Sequence, residues 1–110
     1  MTDTFPMSRF EQLARYDGTA AQVRENGTVV GSIAFKLDPA SRTVDWLLVW
    51  AEEPPPPFSP YSDGYDDGFG GLAEELSTNV LILGGVRFDL EWLAGPEQLS
   101  TWQAIWGEIE

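Results

Sequence analysis

TVVGSIAFKLDPASRTVDWLLVW, from Thr28 to Trp50, contains two apolar runs separated by the polar segment DPASR. In the second run apolar residues fill both phases of the two-residue alternation: Val44, Trp46, Leu48 and Trp50 on one face, Leu47, Val49 and Ala51 on the other. Such a run is typical of a central strand that is covered on both faces. DPASR, at 38–42, has the composition of a turn. We therefore predict two adjacent antiparallel strands, at about 28–37 and 42–52.

A further strand precedes this pair. Asn26-Gly27 lies between AAQVRE and TVVGSIAFKLD, and this dipeptide favours the two-residue hairpin turn in which both central residues have positive φ. The sequence therefore predicts a strand at about 20–26 that pairs with the strand at 28–37. Together with the strand at 42–52 it forms an antiparallel meander.

The C-terminal part of the chain predicts a second strand region. In VRFDLEW, Val86, Phe88, Leu90 and Trp92 alternate with charged residues. Gly84-Gly85, just before this run, is either the turn of a hairpin or a bulge in one long bent strand. Two adjacent glycines accept the positive φ angles of a two-residue turn, which favours the hairpin.

Three helices are predicted around these strands. Ser8 and Glu11 have the spacing of a capping box, which predicts a short helix over Ser8 to Tyr16. LAEELS predicts one or two helical turns, and Gly95-Pro96 opens a C-terminal helix with proline in its first turn. That last helix has an apolar stripe expected to pack on the sheet, made of Leu99, Trp102, Ile105, Trp106 and Ile109.

Between the meander and the second helix lies PPPPFSPYSDGYDDGFGG, from Pro54 to Gly71. Consecutive prolines favour polyproline II, and the four glycines loosen the rest, so we expect neither a strand nor a stable helix here. The sequence thus predicts an α+β fold. It is an antiparallel sheet of four or five strands with helices packed on one face, and a long acidic Pro/Gly-rich loop between strand 3 and the second helix. We expect residues 1–110 to form a single domain, with a flexible loop at about 52–71.

Composition excludes several classes of function. The chain has no Cys and no His, which removes thiolate chemistry, disulfides, the usual zinc ligand and the commonest general base. Asp89 and Glu91 lie two apart on one strand face, a spacing that acid–base chemistry on glycosides could use, but no substrate cleft is evident. We expect a protein that is not an enzyme and has no cofactor. With no leader-like N-terminus and no long apolar segment, we also expect a soluble, cytoplasmic protein that does not contact membranes.

The net charge of −12 is unevenly distributed. Residues 1–50 are almost neutral, whereas in residues 51–110 Arg87 is the single base among many acids. Acidity of this degree also fits solubility or adaptation to a high-salt cytoplasm, but that adaptation should acidify the whole surface. The asymmetry favours a negative face offered to a positively charged protein surface. The residues predicted to contact that partner are Glu52, Glu53, Tyr61, Asp63, Tyr65, Asp66, Asp67, Phe69, Glu74, Glu75, Asp89 and Glu91, with Glu108 and Glu110 near the end of the chain.

Other interpretations of the acidic segment stay open. DGYDDGFGGLAE nearly fits the calcium loop of an EF-hand, with Asp63, Asp67 and Glu74 at positions 1, 5 and 12, although Tyr65 stands at position 3 where a carboxylate or amide is needed. The four prolines fit a stiff spacer or a ligand for an aromatic groove. The five tryptophans suggest stacking on bases, but each lies on the apolar phase of its element. An acidic half-chain also repels phosphates, so no direct nucleic-acid contact is expected.

These observations favour a non-enzymatic acidic inhibitor that binds a basic surface of another protein, with a nucleic-acid-handling enzyme or complex as the expected partner. Phage-encoded inhibitors of host defence systems, including anti-CRISPR and DNA-mimic proteins, share this profile of small size, acidity and absence of a catalytic motif; the likeness is one of composition. The first alternative is an immunity protein or antitoxin that neutralises a cognate toxin by the same physics. The second is a calcium-binding module.

Overall fold

The computed structural model describes residues 9–51, 63–66 and 71–107. Within these ranges the chain forms a six-stranded antiparallel sheet, curled like half of a barrel, and three short helices. In chain order the elements are α1 (Arg9–Ala14), β1 (Ala20–Glu25), β2 (Thr28–Asp38), β3 (Thr43–Trp50), β4 (Asp63–Asp66), α2 (Leu72–Ser77), β5 (Val80–Leu83), β6 (Val86–Trp92) and α3 (Gly95–Trp106). Across the sheet the strands follow the order β4-β3-β2-β1-β6-β5.

Two hairpin turns have the backbone that their sequences predict. Asn26 and Gly27 connect β1 and β2 with φ angles of 52° and 85°. Gly84 and Gly85 connect β5 and β6 with φ angles of 56° and 82°, and Leu83 pairs with Val86 directly across that turn. The hairpin is therefore confirmed, and the alternative of one long bent strand is wrong.

The turn between β2 and β3 is organised by Asp38. Its carboxylate accepts hydrogen bonds from the Ser41 hydroxyl at 3.0 Å and from the Ala40 amide at 3.1 Å. The hydrogen bonds from Ser41 and Ala40 and the nearby Lys36 charge hold the pKa of Asp38 below its usual value, although partial desolvation acts in the opposite direction. Arg42 completes the turn with a positive φ of 55°.

One face of the sheet, here named the α1/α2 face, carries the larger core. Leu13 of α1 and Leu76 of α2 are buried against it. The sheet contributes residues that alternate along each strand and so point the same way. The buried members of this core are Leu13, Ala21, Val23, Ile33, Phe35, Val44, Leu48, Leu72, Ala73, Leu76, Leu81, Phe88 and Leu90.

The opposite face, named the α3 face, carries a second, smaller core. Ala34 lies between Ile33 and Phe35 in β2 and therefore points away from the first core. It packs with Ala20 and with Ile105 of α3, alongside the partly buried Leu47, Leu93, Trp102 and Trp106. The prediction that the helices share one face is thus wrong. Both faces of the central strands are apolar, so each face requires a helical layer.

The prediction of four or five strands is also wrong, because the sixth strand lies inside the segment expected to be a loop. β4 pairs antiparallel with β3, with Trp46 opposite Gly64 and Leu47 opposite Asp63. Without β4, the long, apolar β3 would be the edge of the sheet, and pairing satisfies its outward backbone groups. Residues 52–62 and 67–70 of the expected loop lie outside the described residues, as do Ser8 of the predicted capping box and Ile109.

All five tryptophans contribute to the cores, as their positions in the apolar alternation predict. Each is partly buried; Trp46, Trp50 and Trp92 pack on the larger core, and Trp102 and Trp106 on the smaller. Leu99 is the exception in the predicted stripe of α3, because it is 57% exposed. None of the described helices is both long enough and apolar enough to cross a membrane.

Candidate functional site

The outermost strand β4 presents an acidic and an aromatic side chain side by side. Asp63 lies opposite Leu47, and Tyr65 lies opposite Asp45. Because Leu47 belongs to the core under α3, these cross-strand partners place Asp63 and Tyr65 on the α3 face. Both are exposed, and Tyr65 is 74% accessible to solvent. The edge of the sheet therefore offers a carboxylate and a phenol ring to a partner.

A pocket of about 290 Å³ opens beside these two residues. Its lining combines two carboxylates with aromatic and aliphatic walls: Asp45, Trp46, Leu47, Asp63, Gly64, Tyr65 and Trp106. The Thr43 hydroxyl donates to Asp45 Oδ1 at 2.9 Å, which orients that carboxylate. Trp106 forms the wall that α3 contributes. Lys36 Nζ, from β2, lies 5.5 Å from the centre of the Trp106 ring. Carboxylates beside aromatic rings are suited to cationic side chains, which gain both charge pairing and cation–π contact.

Gly64 fixes the position of β4 against β3. A Cβ atom at Gly64 would lie 2.7 Å from Cζ2 of Trp46, well inside van der Waals contact. The indole ring thus packs directly over the backbone of β4, in the space that a side chain would occupy. This packing holds Asp63 and Tyr65 on either side of the glycine and in register with β3.

Gly64→Ala is expected to displace either β4 or the Trp46 ring. Overpacking of this kind costs about 1–3 kcal/mol of unfolding free energy, and hydrogen exchange at the β4 amides should accelerate. Urea denaturation followed by tryptophan fluorescence measures the first effect. The matched control is Tyr65→Ala in the same strand, which removes an exposed ring and should cost less than about 0.5 kcal/mol. Equal stabilities for the two variants would show that Trp46 does not pack on Gly64.

The other predicted contact residues lie elsewhere on the sheet. Asp66 is in β4 but on the side of the strand opposite Asp63 and Tyr65, by alternation. Glu74 and Glu75 are in α2, and Asp89 and Glu91 are on β6, which β3, β2 and β1 separate from β4. Positions outside the described residues are Glu52, Glu53, Tyr61, Asp67, Phe69, Glu108 and Glu110. Of the predicted set, the structure thus brings Asp63 and Tyr65 together at one pocket.

The acids on β6 are partly neutralised by arginine. Arg24 on the neighbouring strand β1 donates to Glu91 Oε1 from Nη2 at 2.8 Å and from Nε at 3.0 Å. Arg87 Nη2 lies 3.4 Å from Asp89 Oδ1. This part of the α3 face therefore has mixed charge. At the pocket, Asp45 has Lys36 as its cross-strand partner, whereas Asp63 lies opposite the apolar Leu47.

The structure describes only part of the segment that nearly fits an EF-hand calcium loop, residues 63–74. Asp63, at its first position, begins a β-strand paired to β3, and Glu74, at its last, lies in α2. Asp67 is outside the described residues. Within the three ranges described, no group of three or more potential metal-ligating side chains lies close enough to hold an ion.

Sequence reasoning did not identify Asp45, Leu47 and Trp106 as members of the site. Alternation along β3 does place Asp45 and Leu47 on one face, but their proximity to Asp63 requires the β3–β4 pairing. Trp106 reaches the same pocket only because α3 lies on that face of the sheet. No local sequence signal predicts either arrangement.

A scan against protein-family models found no match to this chain, and searches of curated proteins and of solved structures found none either.

Proposed function

We propose that this protein is a non-enzymatic acidic inhibitor that binds a basic, nucleic-acid-binding surface of a partner protein through the β4 edge. The observation that supports it most is the pocket at that edge, where the carboxylates of Asp45 and Asp63 stand beside the rings of Tyr65 and Trp106. A lysine or arginine side chain of the partner inserts between the carboxylates and the rings. The partner belongs to the class of nucleic-acid-handling enzymes or complexes, as for anti-CRISPR proteins and DNA mimics.

The chemistry of the pocket suits such a contact. Arginine and lysine form charge-assisted hydrogen bonds with carboxylates, each contributing about 1.5–3 kcal/mol where a charged group takes part. Exposed tyrosine adds a large, stiff contact area with little loss of side-chain entropy, as in many protein interfaces. In sequence, Tyr61, Asp67 and Phe69 extend the same acidic and aromatic character on both sides of β4.

Inhibition follows from competition. Lysine and arginine residues that bind phosphates supply most of the affinity of a nucleic-acid-binding surface. Carboxylates held on a folded edge strand occupy those cations and exclude the phosphates. The net charge of −12 also accelerates encounter with a positively charged partner and repels nucleic acid itself.

The double variant Asp63→Asn/Tyr65→Ala is expected to weaken partner binding about tenfold or more, because the loss of one charged hydrogen bond alone costs about 1.5 kcal/mol. Immobilised wild-type protein is used to capture its partner from cell lysate, and affinities of the purified partner are then measured by calorimetry. Duplex DNA should displace the captured protein, since both bind the same cations. The melting temperature should change little, because both altered side chains are exposed.

Glu97→Gln is the charge-matched control, since Glu97 is exposed in the first turn of α3 and its substitution also removes one negative charge. It should bind like the wild type. The proposal would be contradicted if the double variant bound the partner as tightly as the wild type does, or if duplex DNA did not displace the captured partner.

A further inference from the structure

The other end of the sheet is formed by β5. Among the described residues this strand pairs with β6 alone. The Leu90 amide donates to the Asn79 carbonyl at 2.8 Å, and Leu83 pairs with Val86 across the turn. Because hydrogen-bonding direction alternates along an antiparallel strand, residues 79, 81 and 83 direct their backbone groups to β6. The backbone groups of Val80 and Ile82 then point to the outer edge.

The outer edge of β5 has the properties of a pairing strand. Its sequence, VLIL, contains no proline, lysine or other charged residue, which are the usual means of protecting an edge. Leu81 is buried in the larger core, so Val80 and Ile82 point to the opposite, α3 face of the sheet. Ile82 is 49% exposed there. A row of outward backbone groups beside an exposed β-branched side chain is a template for strand addition.

Within the part of the chain that the structure describes, one contact covers this template. Glu75, in α2, accepts a hydrogen bond from the Ile82 amide through Oε1 at 3.0 Å. The carboxylate therefore takes the place that the carbonyl oxygen of an added strand would occupy. It also places a negative charge where a second strand must approach.

We propose that the β5 edge is a strand-pairing surface for a second copy of this chain, and that the Glu75 carboxylate keeps it closed. Strand β5 is complementary to itself. In an antiparallel pair with its two-fold axis at Leu81, Val80 of each copy forms a hydrogen-bonded pair with Ile82 of the other. The same register aligns the β-branched side chains of Val80 and Ile82 as cross-strand neighbours on the α3 face.

Charge opposes this pairing in the wild-type chain. Each copy carries a net charge of −12, and the two Glu75 side chains would meet near the axis. Pairing also requires the Ile82 amide to exchange its carboxylate acceptor for the Val80 carbonyl of the second copy. The β4 edge is at the opposite end of the sheet, so this proposal is independent of the proposed inhibitory function.

The test compares three single variants by analytical ultracentrifugation over a range of protein concentrations. Glu75→Ala removes both acceptor and charge and should double the sedimenting mass as concentration rises. Glu75→Gln retains an oxygen acceptor for the Ile82 amide and should sediment as a monomer, like the wild type. Glu74→Ala, in the same helix, removes the same charge and should also remain monomeric. Added salt should strengthen the Glu75→Ala dimer, because it screens the repulsion between the two chains.

A second substitution tests whether the dimer forms through the β5 edge. Glu75→Ala/Ile82→Lys should be monomeric, because a lysine on the edge strand blocks strand addition. Hydrogen exchange provides a measurement on the unaltered chain: the Ile82 amide should be protected in the wild type although it points to the edge. The protection should be lost in monomeric Glu75→Ala and return in its dimer. A folded Glu75→Ala that stays monomeric, a dimer that Ile82→Lys does not dissociate, or an unprotected Ile82 amide in the wild type would overturn the proposal.

Discussion

Phe35→Ala is expected to lower the unfolding free energy by about 3–5 kcal/mol, the range found for truncation of a buried phenylalanine. The Phe35 side chain is fully buried in the central strand β2. Its ring centre lies 6.4 Å from that of Tyr16 and 5.8 Å from that of Trp92, so it connects the turn after α1 to β6. A domain of this size has a total stability of about 5–15 kcal/mol. Truncation should therefore leave a marginally stable chain.

Urea denaturation followed by both circular dichroism and tryptophan fluorescence measures this loss. The comparison is with Phe35→Leu, which conserves most of the volume and should cost less than about 1.5 kcal/mol. If Phe35→Ala and Phe35→Leu proved equally stable, the ring could not be packed as described.

Trp102→Ala is the second substitution with a large expected effect, again about 3–5 kcal/mol. Trp102 lies in α3 and packs on the smaller core. Its indole Nε1 also donates to the carbonyl oxygen of Phe35 at 2.7 Å. The same carbonyl accepts the Gly18 amide at 2.9 Å. The variant therefore loses both the apolar contact between α3 and the sheet and one hydrogen bond to the central strand.

Trp102→Phe separates these two contributions. It retains most of the apolar contact and removes the donor, and it should cost about 1–2 kcal/mol. Leu99→Ala is the control in the same helix; because Leu99 is exposed, it should change stability by about 0.5 kcal/mol or less. Thermal melts of the three variants give the comparison. If the Trp102→Ala variant were as stable as the Leu99→Ala variant, α3 could not pack on the sheet as described.

The sequence predicts the strands with regular alternation and the turns with strong local preferences. Asn26-Gly27 and Gly84-Gly85 both form the two-residue turns that their backbone preferences favour. β4 could not be predicted in this way, because DGYD combines residues that are all depleted in strands except Tyr65. Its extended conformation depends on backbone pairing with β3 and on Trp46 packing over Gly64. Both are contacts between segments far apart in sequence.

The local sequence pattern likewise does not predict on which face of the sheet each helix packs. Alternation shows that Leu47 and Trp46 point to opposite faces, but it does not say which face receives which helix. α1 and α2 pack on the face of Phe35, and α3 packs on the face of Ala34. The candidate site required this information, since Trp106 forms a pocket wall only with α3 on the same face as Asp63.

Counting charges in the sequence identifies an acidic half but not an acidic surface. Charge alone groups Glu91 with Asp63, yet the pairing of β1 with β6 brings Arg24 into a salt bridge with Glu91. Asp45, in the nearly neutral half, is brought to the pocket by the pairing of β3 with β4. The local field depends on which strands are neighbours, and that is a property of the tertiary fold.

The pairing of β1 with β6 has a consequence for the order of folding. Strands β1 to β3 are joined by short turns, as are β5 and β6, so each group can form from local contacts. Among the described strands, backbone pairing between the two groups occurs where β1 pairs with β6, a junction that includes Arg24 and Glu91, 67 residues apart in sequence. Closing so long a loop costs conformational entropy before the contacts that offset it have formed. We therefore expect the association of the meander with the C-terminal hairpin to limit the folding rate.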